Sequence, residues 1–359
     1  MPRSLIALGS NLGDRQHTLR RAVELVAADP SISRVAVSGL HETAPVGGPA
    51  GQGAFLNAAV ALDTTLSPEQ LHGLLGRVEI ELGRTPGPRW AARAIDLDLA
   101  LFGEEVIGTP TLAVPHPRMA FRRFVLAPAA EVAREMVHPL VGWTIGRLLD
   151  HLDTSAPYVA LLGTPDSGRS SLARRVARAV GGSYLADPEC VTSADGTIDP
   201  SGHAERRQIQ FLDRAARLLR SRDWHSARAV ATSDFYFDEC LAYARIGLND
   251  PQYQRFREAW AGARETLVAP KLLVVLDAWE QGLLVRTERT ERTERKERTE
   301  QAAPRSETRL PPDAPPADPL RRELLALANR DNQGPVLYAG RNDPQAQFDE
   351  ITAAIAAMG

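Results

Sequence analysis

Cysteine is almost absent: Cys190 and Cys240 are the only two in 359 residues. Two thiols without metal-ligand spacing exclude a disulfide scaffold and a cysteine-based metal site, and they fit a reducing cytoplasm with both buried as ordinary thiols. An excess of one charge is missing too, since the formal net charge is -3. Without a global basic field, non-specific nucleic-acid binding is excluded as a default, so any phosphate must be held by local sites. No apolar run is long enough to span a bilayer, and the run at Leu5–Leu8 is far shorter than a signal peptide needs. These absences predict a cytoplasmic protein with small-molecule substrates, and they leave oligomerisation open.

What is present points to two domains, 1–154 and 155–359, because the chain is too long for one ordinary core. Strands are expected at Leu5–Leu8, Val35–His41, Phe55–Leu62 and through Arg93–Phe102. Helices are expected where Leu19, Ala22, Val23 and Val26 recur at helical spacing, and from the capping box Ser67–Gln70 with Pro68 at its first position. This order predicts an α+β ferredoxin-like variant sandwich with a mostly antiparallel sheet. From Tyr158 a buried-strand pattern runs into a glycine-bounded loop and a helix, predicting an α/β P-loop kinase-like domain with a parallel sheet, further strands lying at Lys271–Asp277 and Val336–Ala339. An insert at about 286–319 combines a charged three-residue repeat with a proline-rich linker. A period of three drifts around a helix, so the repeat forms no fixed binding stripe.

The most informative local feature is Asp96-Leu-Asp98. Strand alternation puts both carboxylates on one face and Ile95, Leu97, Leu99 and Leu101 on the other. Adjacent carboxylates repel, and a hard cation such as Mg²⁺ shared with phosphate oxygens relieves this. Alone, the pair reads more readily as a solvated face on an amphipathic edge strand.

The company it keeps is Ala7-Leu-Gly-Ser-Asn-Leu-Gly-Asp-Arg15, Glu42-Thr-Ala-Pro-Val-Gly47, Phe55-Leu-Asn57, Glu79-Ile-Glu-Leu-Gly-Arg84, Arg93-Ala-Ile-Asp-Leu-Asp98 and Val114-Pro-His-Pro-Arg-Met119. With these islands, residues 4 to 150 resemble the 6-hydroxymethyl-7,8-dihydropterin pyrophosphokinases, folate-pathway enzymes that move a pyrophosphoryl group from ATP to a pterin alcohol. The resemblance implies ATP as co-substrate and two Mg²⁺ ions on Asp96 and Asp98, with Arg93 and Arg84 also catalytic. It implies a pterin site made of Thr43, Pro45, Val46, Phe55, Asn57 and Phe124. ATP would meet Glu79, Arg89, Trp90, His116 and Arg122. Each has a plainer alternative: a strand-end hydrogen bond for Asn57, a solvated carboxylate for Glu79, hairpin packing for Trp90 and a structural role for His116. One departure is Trp90-Ala-Ala-Arg93, where the family commonly has Trp-Gly-Pro-Arg.

In the second half, Gly163-Thr-Pro-Asp-Ser-Gly168-Arg169-Ser170-Ser171 follows the G-x-x-x-x-G-K-[ST] pattern with arginine replacing lysine. Backbone N–H groups there could cradle a phosphate. With Ser233-Asp-Phe-Tyr-Phe-Asp-Glu239, the segment 157–357 resembles the deoxynucleoside kinase family. That likeness implies a deoxynucleoside substrate, with Asp187 and Asp234 as acidic candidates. Phe235 stands where the family has an arginine, and the charged repeat replaces an arginine-bearing lid, so a non-catalytic nucleotide-binding or regulatory module is the alternative.

Overall fold

The apolar run near the N-terminus becomes β1 (Arg3–Ser10) in a computed structural model that describes residues 1–49, 51–85, 90–165, 167–188, 203–220, 224, 229–276, 319–330, 334–340 and 343–359. The chain divides into one unit of Met1–Thr154 with Asp349–Gly359, and a second of Ser155–Phe348.

In the first unit β1 leads to α1 (Arg15–Ala27), β2 (Ile32–Val37), β3 (His41–Thr43), β4 (Phe55–Thr64), α2 (Pro68–Glu81) and β5 (Asp96–Phe102). The short pairs β6 (Ile107–Gly108) with β7 (Ala113–Val114) and β8 (Val137–His138) with β9 (Trp143–Thr144) flank α3 (Arg123–Ala133), and α4 is Ile145–Thr154. The sheet runs β2-β4-β1-β5, with β3 also paired to β4, and every pairing is antiparallel. Both early helices start on local signals. Asp14 accepts the N–H of His17 at 3.0 Å, while Ser67 and Gln70 exchange side-chain-to-backbone hydrogen bonds as a complete capping box. Leu19, Ala22 and Val26 of α1 and Leu71, Leu75 and Val78 of α2 then pack against Ile6, Leu8, Val60, Leu97 and Leu99 of the sheet. Each fully buried leucine stabilises this layer by about 2 kcal/mol.

The single strand expected at Val35–His41 is broken in two. Ser38 keeps one bond to β4, its N–H donating to the Ala59 carbonyl at 3.0 Å, but the Ala59 N–H goes to the Ser38 Oγ at 2.8 Å, and the N–H of Gly39 turns to the carboxylate of Glu131 at 2.7 Å. Side-chain acceptors compete with the ladder there, so β2 stops at Val37 and β3 resumes at His41.

The second unit comprises β10 (Tyr158–Leu162), α5 (Arg169–Ala179), β11 (Ser183–Leu185), α6 (His203–Leu218), β12 (Ala231–Ser233), α7 (Cys240–Gly247), α8 (Asp250–Arg264), β13 (Leu272–Leu276), α9 (Pro319–Ala328), β14 (Val336–Ala339) and the start of α10 (Pro344–Ala357), whose residues from Asp349 belong to the first unit. Its sheet is parallel in the order β11-β12-β10-β13-β14. Both β10 and β13 are buried along their whole length, which accounts for their uninterrupted apolar sequences. Cys240 is a buried free thiol. Cys190 and the insert, up to residue 318, lie outside the described residues, and among those described no helix is long and apolar enough to cross a membrane.

Candidate active site

Gly9 sits opposite Asn57 of β4 on one side and Asp96 of β5 on the other, and Ala7 sits opposite Asp98. Residues directly opposite in an antiparallel ladder share a face, so Asn57, Asp96 and Asp98 all open over a floor made of the two small residues Gly9 and Ala7. Two strand spacings set Asn57 and Asp96 about 10 Å apart. A Cβ added at Gly9 would lie 3.4 Å from Asn57 Oδ1, so the absent side chain keeps this floor clear.

Asp96 is gripped by two guanidinium groups. Its Oδ1 is 2.9 Å from Arg84 Nη1 and its Oδ2 is 2.8 Å from Arg93 Nη1. Burial and the neighbouring Asp98 raise the Asp96 carboxyl above its ordinary range, against the pull of Arg93 and Arg84. Asp98 is more open, with His116 Nε2 3.9 Å from its Oδ2. Glu79 is buried at 8% exposure, pairs with Arg84 and accepts the N–H of Leu97 at 2.7 Å. Burial raises its pKa, partly countered by the Leu97 bond. His116 is pushed down to about 3 by burial and then by Arg122 and Arg118, so its imidazole is neutral at physiological pH. Its Nδ1 accepts the N–H of Arg118 at 3.2 Å, which assigns the ring proton to Nε2 and makes that atom a donor.

On the β4 side, Asn57 Nδ2 donates to Thr43 Oγ1 at 2.8 Å and to the His41 carbonyl at 3.4 Å, leaving Oδ1 towards Gly9. Phe55 lies at the same edge, near Gly9, and Pro45 and Val46 are half-buried in the following loop. Phe124 opens α3 beneath the guanidinium of Arg122, 5.5 Å from its ring centroid. Trp90 takes a left-handed backbone, φ 63°, and its carbonyl accepts from Gln52 Nε2 at 2.9 Å. Arg89 lies outside the described residues.

Sequence reasoning missed Asn11 and Gln52. Asn11 Oδ1 accepts the N–H of Arg93 at 2.8 Å, while its Nδ2 donates to Gln52 Oε1 at 3.2 Å and to the Gly53 carbonyl at 3.4 Å. One amide thus joins the loop after β1 to the loops before β4 and β5. The polar amide directly after β1 was the only signal available in the sequence.

The donor set suits a hard cation. Two carboxylates on one strand face offer oxygen ligands, and no group of three or more metal-ligating side chains occurs among the described residues, so phosphate oxygens and water would complete the coordination.

In the second unit Gly168 caps α5 in a left-handed conformation, φ 75°, and Ser170 and Ser171 are exposed at the helix start. Arg169, however, is 6% exposed and turns inwards. Its Nη1 donates to Glu239 Oε2 at 2.7 Å and to the Gly163 carbonyl at 3.3 Å, and its Nη2 reaches Asp187 Oδ2 at 3.0 Å. Burial pushes Glu239 up to about 7 despite Arg169. Asp234 accepts from Tyr184 OH and from the Asp187 N–H, both at 2.6 Å. Glu239 was not singled out from the sequence, because its partner is 70 positions away.

Residues 5–134 match the family model described as 7,8-dihydro-6-hydroxymethylpterin-pyrophosphokinase. The 2-amino-4-hydroxy-6-hydroxymethyldihydropteridine pyrophosphokinase of Bacillus subtilis is 49% identical over 131 residues, 36% of this chain and 78% of the relative. The chain belongs to the hydroxymethylpterin pyrophosphokinase family. The Pseudomonas aeruginosa pyrophosphokinase is 39% identical over 163 residues, 45% of this chain and 97% of its own length. Members of this family thus correspond to less than half of the chain. A solved deoxyadenosine kinase from M. mycoides aligns over 54% of this chain and 96% of its own, with a TM-score of 0.36 and 13% identity, a likeness that decides nothing about the second unit.

Proposed function

We propose that residues 1–154 transfer pyrophosphate from ATP to the hydroxymethyl group of 6-hydroxymethyl-7,8-dihydropterin, in tetrahydrofolate biosynthesis. The observation that carries this is the shared face of Asn57, Asp96 and Asp98 across Gly9 and Ala7. The alcohol oxygen bonds to the β-phosphorus of ATP, the bond from that phosphorus to the α-phosphate oxygen breaks, AMP leaves, and the hydroxyl proton passes to solvent. Asp96 and Asp98 would hold Mg²⁺, two ions in this reading, which neutralises phosphate charge and acidifies the alcohol. The chain's own side chains position and orient the reactants, which supplies much of the barrier reduction in phosphoryl transfer. Arg84, Arg93 and Arg122 offer guanidinium forks to phosphate oxygens, with Arg89 in the same role. His116 donates from Nε2. Phe55 and Phe124 sandwich the flat ring, Asn57 Oδ1 reads its amino edge, and Thr43, Pro45 and Val46 line the pocket. Trp90 packs towards the nucleotide. Glu79, buried under β5, serves the ATP side by holding Arg84.

The strand order of the first sheet supports a ferredoxin-like variant, and that of the parallel sheet supports a P-loop kinase-like domain over 155–359. The test is the nucleotide product formed by the full chain with ATP, Mg²⁺ and the pterin alcohol. AMP equal to pterin pyrophosphate is expected, whereas ADP would overturn the reading.

For the second domain, we infer a non-catalytic module rather than a deoxynucleoside kinase, because the Arg169 guanidinium is committed to Glu239 and Asp187. Withdrawing a cation from such a buried pair costs about 3–5 kcal/mol, which a phosphate would have to offset. The full chain incubated with MgATP and each deoxynucleoside should form no ADP above background. Deoxynucleoside-dependent ADP would establish the kinase instead.

A further inference from the structure

Glu131 stands on the exposed side of α3, outside every motif considered above, yet both of its carboxylate oxygens are engaged. Oε2 accepts the N–H of Gly39 at 2.7 Å and Oε1 is 2.7 Å from His41 Nε2. These contacts hold the Glu131 carboxyl below its ordinary range, the Gly39 bond first and His41 second. Their placement joins two walls of the pterin pocket. Gly39 and His41 belong to the break before β3 and to its first residue, and β3 is only three residues long. Both ends of that strand accept from the same group, since Asn57 Nδ2 donates to the His41 carbonyl and to Thr43 Oγ1. The orientation of the Asn57 amide therefore depends on where β3 lies. Phe124 opens the helix whose last turn carries Glu131. The carboxylate thus ties the helix bearing one ring-stacking side chain to the strand that aims the edge-reading amide.

We propose that Glu131 is a positioning residue for pterin recognition, fixing β3 against α3 so that Thr43 and Asn57 meet the pterin edge in register. This rests on the pterin-site reading above. Among the described residues Glu131 meets Gly39 and His41, whereas Asp96 meets Arg84 and Arg93, so the nucleotide side should not sense its removal.

The test is steady-state kinetics of the full chain with pterin alcohol and MgATP varied independently, for wild type, Glu131→Ala and Glu131→Gln. The alanine variant should raise the pterin KM about fivefold to tenfold, with kcat and the ATP KM within about twofold of wild type. Glutamine, which still offers an oxygen to Gly39 N–H, should recover part of that rise, and it carries the test should the alanine variant fail to fold. An unchanged pterin KM in the glutamine and folded alanine variants, or KM values for both substrates rising together, would overturn the proposal alone. Absence of pterin-dependent AMP from wild type would instead overturn the pterin-site reading, and this proposal with it.

Discussion

The carboxylate of Glu79 accepts the backbone N–H of Leu97, the residue between Asp96 and Asp98, at 2.7 Å. Among the described strands β5 pairs with β1 alone, so this N–H points away from the ladder and depends on Glu79 for a partner. A buried helix carboxylate thus pins the peptide between the two acids, and the same side chain holds Arg84. Glu79→Ala should lower kcat/KM about 10- to 100-fold, while Glu79→Gln, which keeps an acceptor for Leu97, should lose less. Steady-state rates of AMP release check the ranking.

Asn11 bridges the backbone of Arg93 to Gln52 and Gly53. Its replacement by alanine leaves the Arg93 N–H unpaired and releases two loops at once, so kcat/KM should fall by about 1–3 kcal/mol of transition-state stabilisation. Gln52→Ala should cost less, since the Asn11–Arg93 bond survives. Comparing the two variants with wild type under the same assay checks the order.

Gly48 has φ 80°, and an added Cβ would collide with the Trp90 carbonyl and with Gln52 Nε2. Gly48→Ala carries a backbone penalty of about 1–2 kcal/mol before the collision is counted. The loop should then fail to seat against Trp90, weakening pterin binding at least tenfold by calorimetric titration in the presence of a non-hydrolysable ATP analogue.

Glu239 gives the second unit a pH signature. Its folded pKa is raised from 4.5 to about 7 by burial. The folded chain therefore holds an extra proton between these values, so the Glu239 contribution to stability falls as pH rises through about 4.5 to 7 and is level above. The loss is on the order of a few kcal/mol. Thermal unfolding of wild type and Glu239→Gln across pH 4 to 8 should show this component in the wild type and not in the variant.

The features legible in the sequence are those set by near neighbours. Alternation around Leu97 and Leu99 placed Asp96 and Asp98 together, and Ser67 with Gln70 marked the start of α2, because both patterns are complete within a few residues. The break between β2 and β3 was not legible, since it depends on Glu131, 92 positions from Gly39. The inward turn of Arg169 towards Glu239 and the bridge from Asn11 to Arg93, 82 positions apart, were hidden for the same reason. Each follows from a polar group finding its partner only after the sheet has formed.

The central claim is that the Asp96 and Asp98 carboxylates serve pyrophosphoryl transfer to a pterin alcohol. Its most direct test is pterin-dependent AMP release by Asp98→Asn alongside wild type at saturating ATP and Mg²⁺. A fall in kcat of about 100-fold or more is expected, because the neutral amide cannot replace the anionic oxygen ligand. AMP release at the wild-type rate would contradict it.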